Sequence, residues 1–232
     1  MKEKSDISKI LEGRCQGKGA DYVGFKKANE AHSSGTASEI YDPVAKRTVD
    51  TLSTGETMLF WLLRYDERVA EIREQFMLLP DLAAEAARQL GIRTPARILT
   101  TDFLVLYDDG KLTAYSVKYS RRELDPETKK GRRAIRRQAL EQRYWNNLGI
   151  GFRIVFTEEM DRVRAANIQD CMAAYDSTWV TAVDQKYRWL IAHHIVEIDM
   201  SKPVSYAGIA AENEEEICRL YEIHRRKETA IC

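Results

Sequence analysis

The segment 98–119 constrains the fold of this chain more than any other. Two runs rich in β-branched, aromatic and aliphatic residues, 98–107 and 111–119, are separated by Asp108, Asp109 and Gly110. Residues of these types favour strands, and Asp-Gly favours a tight turn. The segment therefore predicts a β-hairpin.

The segments around the hairpin alternate between helical and strand-like patterns. The predicted helices cover 53–65, 82–90 and 131–148, and the predicted strands cover 69–76 and 152–156. This order indicates an α/β core in which a mixed central sheet is flanked by helices in three layers. From residue 158 the pattern becomes helical, apart from a predicted short strand over 195–200. We therefore expect two domains, 1–160 and 161–232.

The first 50 residues are polar and contain glycine-rich turns. The basic stretch from Gly13 to Gly19 either approaches a phosphate backbone or forms a plain surface loop. A surface loop is the simpler interpretation, and we expect one here.

The charges balance over the whole chain but not locally. Lys plus Arg and Asp plus Glu both total 36 in 232 residues. The stretch 121–143 nevertheless holds nine basic residues against four acidic ones. Such a stretch is either a solvated helix face or a contact surface for nucleic acid. Any attraction to DNA must therefore come from local patches.

Several functional classes have no support in the sequence. The longest apolar run, 58–63, is far shorter than the roughly 20 residues that span a bilayer. The amino terminus lacks the apolar segment of a signal peptide. The four cysteines are scattered without a Cys-x-x-Cys pair, which argues against disulfides and structural zinc, and no phosphate-binding loop motif is present. These features predict a soluble cytoplasmic protein without a membrane partner.

Asp102 is the first candidate site residue. Aspartate is depleted in strands, and here it precedes three apolar residues, where an unpaired carboxylate is costly. It is either a hydrogen-bonding residue at the strand start or a metal ligand. A three-residue loop ending at Gly110 would pair Asp102 with Ser116. It would also bring Lys118 to the same side, whereas a two-residue turn would send Lys118 to the opposite face.

Two glutamates are further candidates. Ser53-Thr-Gly-Glu56 fits a capping box, in which Ser53 accepts from a backbone amide and Glu56 reaches back to the Ser53 amide. Glu141 interrupts a partly apolar stripe on the basic helix, where Gln138 and Trp145 lie on the same side. Glu141 therefore either pairs with a neighbouring basic residue or points into a site.

Several segments together resemble the TnsA family, the endonuclease subunit of heteromeric cut-and-paste transposases. The resemblance covers roughly residues 11–160 and depends on the order and spacing of its motifs. These motifs are Gly13–Tyr22, Ser33–Gly35, Glu71–Phe76, Leu78–Pro80, Thr100–Val105 and Glu141–Trp145. The segment 190–200 resembles the small winged-helix domain of the family in an abbreviated form.

The resemblance implies a restriction-endonuclease-like core with a two-metal Mg²⁺ site in which Mn²⁺ can substitute. The implied catalytic residues are Glu56, Asp102, Ser116, Lys118 and Glu141, and the implied metal ligands are Glu56, Asp102, Ser116 and Val117. In this set Asp102 is the metal-bridging aspartate and Lys118 the catalytic lysine. Ser116 stands where glutamine is familiar in the family, and it would bind metal through water. Glu141 would support the site from the helix.

The resemblance also implies a reaction and partners. The enzyme would hydrolyse phosphodiester bonds at the 5′ ends of the transposon, together with a TnsB-type recombinase and a TnsC-type AAA+ ATPase. Two alternatives stay open: a stand-alone restriction-like nuclease or resolvase, and a catalytically degenerate DNA-binding or assembly subunit. The sequence does not distinguish target selection by a DNA-binding subunit from selection by an RNA-guided complex.

Overall fold

The computed structural model describes residues 4–30, 36–178 and 180–231, so the Ser33–Gly35 motif lies outside the described residues. The chain forms two compact units, Met1–Met160 and Asp161–Cys232. The helices of the first unit are α1 (Asp6–Leu11), α2 (Thr54–Arg64), α3 (Pro80–Gln89) and α4 (Lys129–Asn147). Its strands are β1 (Ser38–Asp42), β2 (Arg47–Thr51), β3 (Val69–Met77), β4 (Thr100–Tyr107), β5 (Leu112–Lys118) and β6 (Gly151–Phe156). The helices and strands predicted over 53–156 are therefore all present.

The first unit is built on a mixed four-stranded sheet in the order β3-β4-β5-β6. The strands β3, β4 and β5 pair antiparallel, and β6 pairs parallel with β5 after the chain passes through α4. A parallel pair needs such a crossover, because the chain must return to the end of the sheet at which the previous strand began. This arrangement confirms the predicted α/β core with a mixed central sheet.

Helices cover both faces of this sheet. Leu104 and Ala114 belong to a buried cluster with Leu140, which brings α4 against one face. Val117 is an odd number of residues from Ala114 along β5, so its side chain points to the other face. There α2 packs so closely that a Cβ atom on Gly55 would lie 3.0 Å from Val117 Cγ1. The three predicted layers are α2, the sheet, and α4.

A β-hairpin lies within the first 51 residues, where the sequence predicted no strand. The strands β1 and β2 pair antiparallel in a separate two-stranded sheet. Buried positions of the hairpin include the polar residues Asp42, Arg47 and Asp50, so the sequence lacks the apolar alternation that marks strands. Arg47 forms a buried two-contact ion pair with Glu74 of β3, at 2.8 and 2.6 Å. This ion pair joins the hairpin to the main sheet.

The basic glycine-rich loop keeps its arginine inside the protein. Arg14 is 1% exposed, and it donates to the Phe25 carbonyl oxygen at 2.9 Å and to Glu30 at 2.7 and 2.6 Å. Removing one partner of a buried ion pair is strongly destabilising, because the other charge is left unpaired. Arg14 therefore fixes the segment around Phe25 and is not available to a phosphate backbone.

The second unit is helical. Its helices are α5 (Arg162–Met172), α6 (Val183–Ala192), α7 (Tyr206–Glu212) and α8 (Glu214–Ile231). The predicted strand over 195–200 is wrong, because the amides of Ile195 and Val196 donate to the Leu190 carbonyl at 2.9 and 3.3 Å and so terminate α6. No other strand in the described part of this unit offers a pairing partner. The described residues therefore contain no wing, and the winged-helix assignment stays a prediction.

Candidate active site

The β4–β5 hairpin has the register on which the candidate site depends. Phe103 pairs with Tyr115, and continuing this register by one residue sets Asp102 opposite Ser116. The Tyr107 amide donates to the Lys111 carbonyl at 2.9 Å, so Lys111 is paired with Tyr107 and the loop between them has three residues. The last of these, Gly110, has a φ of +79°. Glycine suits this left-handed conformation because it has no Cβ. The predicted loop length and register are therefore confirmed.

Asp102, Ser116 and Lys118 form one hydrogen-bonded group. Asp102 Oδ2 accepts from the Val117 amide at 2.6 Å and from Ser116 Oγ at 3.3 Å. Lys118 Nζ donates to Ser116 Oγ at 3.3 Å and to the Val117 carbonyl oxygen at 3.0 Å. An ammonium group has three N–H donors, so one remains for a substrate. The structure thus brings together four of the predicted residues: Asp102, Ser116, Val117 and Lys118.

Glu56 lies in the first turn of α2 and is 7% exposed. Ser53 caps this helix, as predicted, with its Oγ accepting from the Glu56 amide at 3.2 Å. The predicted return of the carboxylate to the Ser53 amide is wrong. The carboxylate instead accepts from the Leu52 amide at 2.9 Å and the Ser53 hydroxyl at 3.0 Å. Gln75 Nε2 also donates to it at 3.1 Å, which ties Glu56 to β3.

The ionisation of Glu56 is strongly perturbed. Burial, and then the negative charge of Asp102, raise the pKa of Glu56 from 4.5 to about 7, against hydrogen bonds that lower it. Neither of these two carboxylates forms an ion pair with another described residue. The site therefore holds negative charge that the described ion pairs do not neutralise.

Gln75 of β3 also belongs to this region, although no sequence pattern marked it. By the β3–β4 register it lies opposite Asp102. Its φ of +45° falls in the left-handed region, which is uncommon and strained for a residue with a long side chain. The side chain donates to Glu56 and accepts from Thr100 Oγ1 at 3.0 Å, while the backbone carbonyl accepts from the Phe25 amide at 3.1 Å. Gln75 therefore links β3 to α2, β4 and the segment around Phe25.

Glu141 reaches the same region from α4. It is 2% exposed, its Oε1 accepts from Arg137 Nε at 2.6 Å, and its Oε2 accepts from Thr101 Oγ1 at 3.0 Å. Arg137 also donates to the Thr100 carbonyl at 2.6 Å. Burial raises the pKa of Glu141, and the Arg137 guanidinium opposes this effect. Glu141 thus pairs with a neighbouring basic residue, and this pair holds the start of β4 beside Asp102.

Lys26 is a second residue that the sequence analysis missed. It is half-buried, and its neighbour Phe25 is held by Gln75 and Arg14. Burial, and then the positive charge of Arg137, lower the pKa of Lys26, while three carboxylates raise it: Asp102, Glu56 and Glu141. The ammonium group therefore lies within electrostatic range of all the acidic residues of the site. Lys26 belongs to an irregular segment, so no periodic pattern in the sequence marks it.

The oxygen donors of the site fit a divalent cation such as Mg²⁺. Glu56 and Asp102 offer carboxylates, while Ser116 and the Val117 carbonyl offer neutral oxygens. Among the described residues, no group of three His, Cys, Asp or Glu side chains could hold an ion by itself. An ion would therefore need backbone, hydroxyl, water or substrate oxygens as well. Mg²⁺ commonly takes one or two carboxylates and completes its shell in this way.

A mixed four-stranded sheet flanked by helices, with Asp102 and Lys118 on adjacent strands, defines a restriction-endonuclease-like core. Residues 66–158 match the family model of the TnsA-like endonuclease N-terminal domain. The chain is also 32% identical, over 166 residues, to the transposon Tn7 transposition protein TnsA of Escherichia coli. It belongs to the TnsA endonuclease family, as the sequence motifs predicted.

The extent of these matches bears on the site. The alignment with the Escherichia coli protein covers 69% of this chain and 59% of the relative, so the chain spans about three fifths of that relative. The family-model match contains Asp102, Ser116, Lys118 and Glu141, whereas Glu56 precedes it. No helix among the described residues is long and apolar enough to cross a membrane.

Proposed function

We propose that this protein is a Mg²⁺-dependent DNA endonuclease subunit of a heteromeric transposase. It hydrolyses phosphodiester bonds at the 5′ ends of the transposon during cut-and-paste transposition. The observation that carries the proposal is the hydrogen-bonded group of Asp102, Ser116 and Lys118 on adjacent strands, electrostatically coupled to Glu56. The relationship to the Tn7 protein supports the biological context. The proposed partners are transposon-end DNA, a TnsB-type recombinase and a TnsC-type AAA+ ATPase.

The metal ligands in this proposal are Glu56, Asp102 and the Val117 carbonyl, with Ser116 binding the metal through water, and Mn²⁺ can replace Mg²⁺. Among the described residues, Asp102 receives hydrogen bonds through Oδ2, which leaves Oδ1 for a ligand. The Val117 carbonyl has two lone pairs, so it can accept from Lys118 and still offer one. Bound divalent ions supply charge neutralisation and Lewis acidity for phosphoryl chemistry.

Lys118 acts on the phosphate group or on the attacking water. Its ammonium group is positioned by Ser116 Oγ and the Val117 carbonyl, and its third N–H would be the donor to a substrate oxygen. A preorganised donor aimed at developing negative charge lowers the barrier, and losing one such donor costs about 100- to 1,000-fold in rate. Glu141 contributes indirectly, because its bonds to Thr101 and Arg137 fix the strand that carries Asp102.

The direct test is Asp102→Ala in an excision assay with all transposition subunits present. We expect cleavage at the 5′ ends to fall by at least about 100-fold, because a metal ligand and the partner of Ser116 are both lost. Asp109→Ala is the matched control, since Asp109 lies in the loop of the same hairpin and pairs only with exposed Lys111 among the described residues. Unchanged 5′-end cleavage by Asp102→Ala would leave a non-catalytic assembly role.

A second assay separates this proposal from a stand-alone nuclease. The purified chain is incubated with Mn²⁺ and duplex DNA that lacks transposon ends. We expect little cleavage, because the proposed subunit acts within an assembly. Strong cleavage that needs Asp102 would instead identify a self-sufficient restriction-like nuclease or resolvase.

A further inference from the structure

A cleft with a volume of about 450 Å³ lies between the α3–β4 connection and α4. Three arginines line it: Arg93, Arg136 and Arg137. The apolar part of the lining includes Ile92, Leu99 and Leu140. No carboxylate occurs among the described lining residues, so the cleft combines positive charge with an apolar floor.

The positive charge of this arginine cleft is largely uncompensated. Arg93 and Arg136 are exposed, and neither forms an ion pair with another described residue. Arg137 already donates hydrogen bonds through its Nε to Glu141 and through one Nη to the Thr100 carbonyl. Guanidinium groups kept together without counter-charges repel one another, and an anion that bridges them removes this repulsion.

The arginine cleft begins next to the candidate active site. Arg137 lines the cleft, and the same side chain bonds Glu141 at 2.6 Å. Glu141 in turn accepts from Thr101 at 3.0 Å, and Thr101 precedes Asp102 in β4. A polyanion bound at Asp102 therefore has a positively charged path along the α4 side of the site.

We propose that the arginine cleft binds a backbone phosphate and the adjoining deoxyribose of the DNA, on the α4 side of the scissile phosphodiester. The inference rests on the proposed function as a DNA endonuclease and names the contact that holds its substrate. Arginine forks match phosphate oxygens, and the apolar floor suits a sugar. Phosphate and sugar are the same at every base pair, so the proposed contact is independent of base sequence.

The experiment measures DNA binding by the full-length chain without divalent ions, so that its readout does not depend on cleavage. The dissociation constant of a labelled duplex is determined at several salt concentrations for wild type and for the double variant Arg93→Gln, Arg136→Gln. Each phosphate contact contributes about 0.9 to the slope of log affinity against log salt. The proposal places one phosphate in the cleft, so we expect the slope of the double variant to be smaller by about 0.9.

Two further variants make the result specific. Arg88→Gln removes an exposed arginine of α3 that does not line the cleft, and we expect an unchanged slope. Arg136→Lys keeps the charge but loses the fork, so we expect a near-normal slope with weaker binding. If Arg88→Gln changed the slope as much as the double variant does, the effect would come from diffuse charge and the proposal would be overturned.

Neutralising single phosphates locates the contact on the DNA. Duplexes with one methylphosphonate at successive positions beside the scissile bond are bound to wild type and to the double variant. We expect one position at which the methylphosphonate weakens DNA binding by wild type but not by the double variant, because both changes remove the same contact. If no position shows this coupling, and only cleavage in the complete assembly is lost, the cleft holds a protein partner instead. A chain that binds in this way but never cuts would contradict the proposed function alone.

Discussion

Replacing Glu56 by glutamine should stabilise the metal-free protein, although the residue lies at the centre of the candidate site. Glu56 is 7% exposed, and burial together with the charge of Asp102 raises its pKa from 4.5 to about 7. In the unfolded chain a glutamate ionises near its ordinary pKa of about 4.3. Folding therefore opposes the ionisation of Glu56 over a wide pH range.

The magnitude follows from the pKa shift of Glu56. A rise from 4.5 to about 7 corresponds to about 3 kcal/mol at about 1.4 kcal/mol for each factor of ten. Because the folded pKa is raised, the contribution of Glu56 to stability is greatest below pH 4.5 and is lost as the pH rises towards 7. The loss is complete above pH 7. Glu56→Gln removes this titration, so its advantage grows from near zero at pH 4 to about 3 kcal/mol at pH 8.

Glutamine fits the hydrogen bonds around Glu56. Its carbonyl oxygen can take the place of Oε2 and accept from the Leu52 amide and Gln75. Its NH₂ group then faces Ser53 Oγ, which can turn its own proton away and accept instead of donate. The hydrogen bonds that Glu56 accepts through Oε2 are therefore retained and the one with Ser53 is reversed, so the increase of the advantage with pH is kept.

Urea unfolding of the first unit from pH 4 to pH 8, with a chelator present, measures the effect. Glu71→Gln is the matched control, because hydrogen bonds from Arg73 and the Gly19 amide outweigh burial and lower the pKa of Glu71. That variant should lose stability at pH 8, and the loss should fade as the pH drops. The reasoning would be refuted by a Glu56→Gln protein that is less stable than wild type at pH 8. It would also be refuted if the free energy of unfolding differed from wild type by the same amount at every pH.

Three further changes test the surroundings of the site. Lys26→Met should reduce cleavage by about 10- to 100-fold, because a cation within electrostatic range of the carboxylates is lost; wild-type rates would remove Lys26 from the site. Ser116→Ala should reduce cleavage by less than about 10-fold, since the backbone amide that fixes Asp102 remains, and a loss as large as that of Asp102→Ala would make the hydroxyl a direct ligand. Gly55→Ala should destabilise by about 1–3 kcal/mol in urea, because its Cβ would lie 2.1 Å from Thr157 Oγ1, and unchanged stability would contradict this packing.

The elements that were predicted correctly have strong local signals. The hairpin from β4 to β5 combines apolar strands with a turn whose last residue, Gly110, needs a left-handed conformation. The β1–β2 hairpin was missed because its buried residues, such as Arg47 and Asp50, are polar and are stabilised by partners outside the hairpin. The segment 195–200 shows the opposite error. It has a strand-like pattern, but its first amides terminate α6 and no described strand lies beside it.

The candidate site follows the same division. Asp102, Ser116 and Lys118 are brought together by one hairpin register, which the three-residue loop fixes; the sequence also allowed a two-residue turn, and the catalytic interpretation required the longer loop. Gln75 has a left-handed conformation in β3, and its carbonyl oxygen and the buried Arg14 both bond Phe25, the neighbour of Lys26. These contacts join segments that are far apart in sequence. The electrostatic balance of the site is therefore a tertiary property. This is why the sequence could name the carboxylates and Lys118 but not Lys26, and why tests at Lys26 and the arginine cleft probe what sequence motifs do not show.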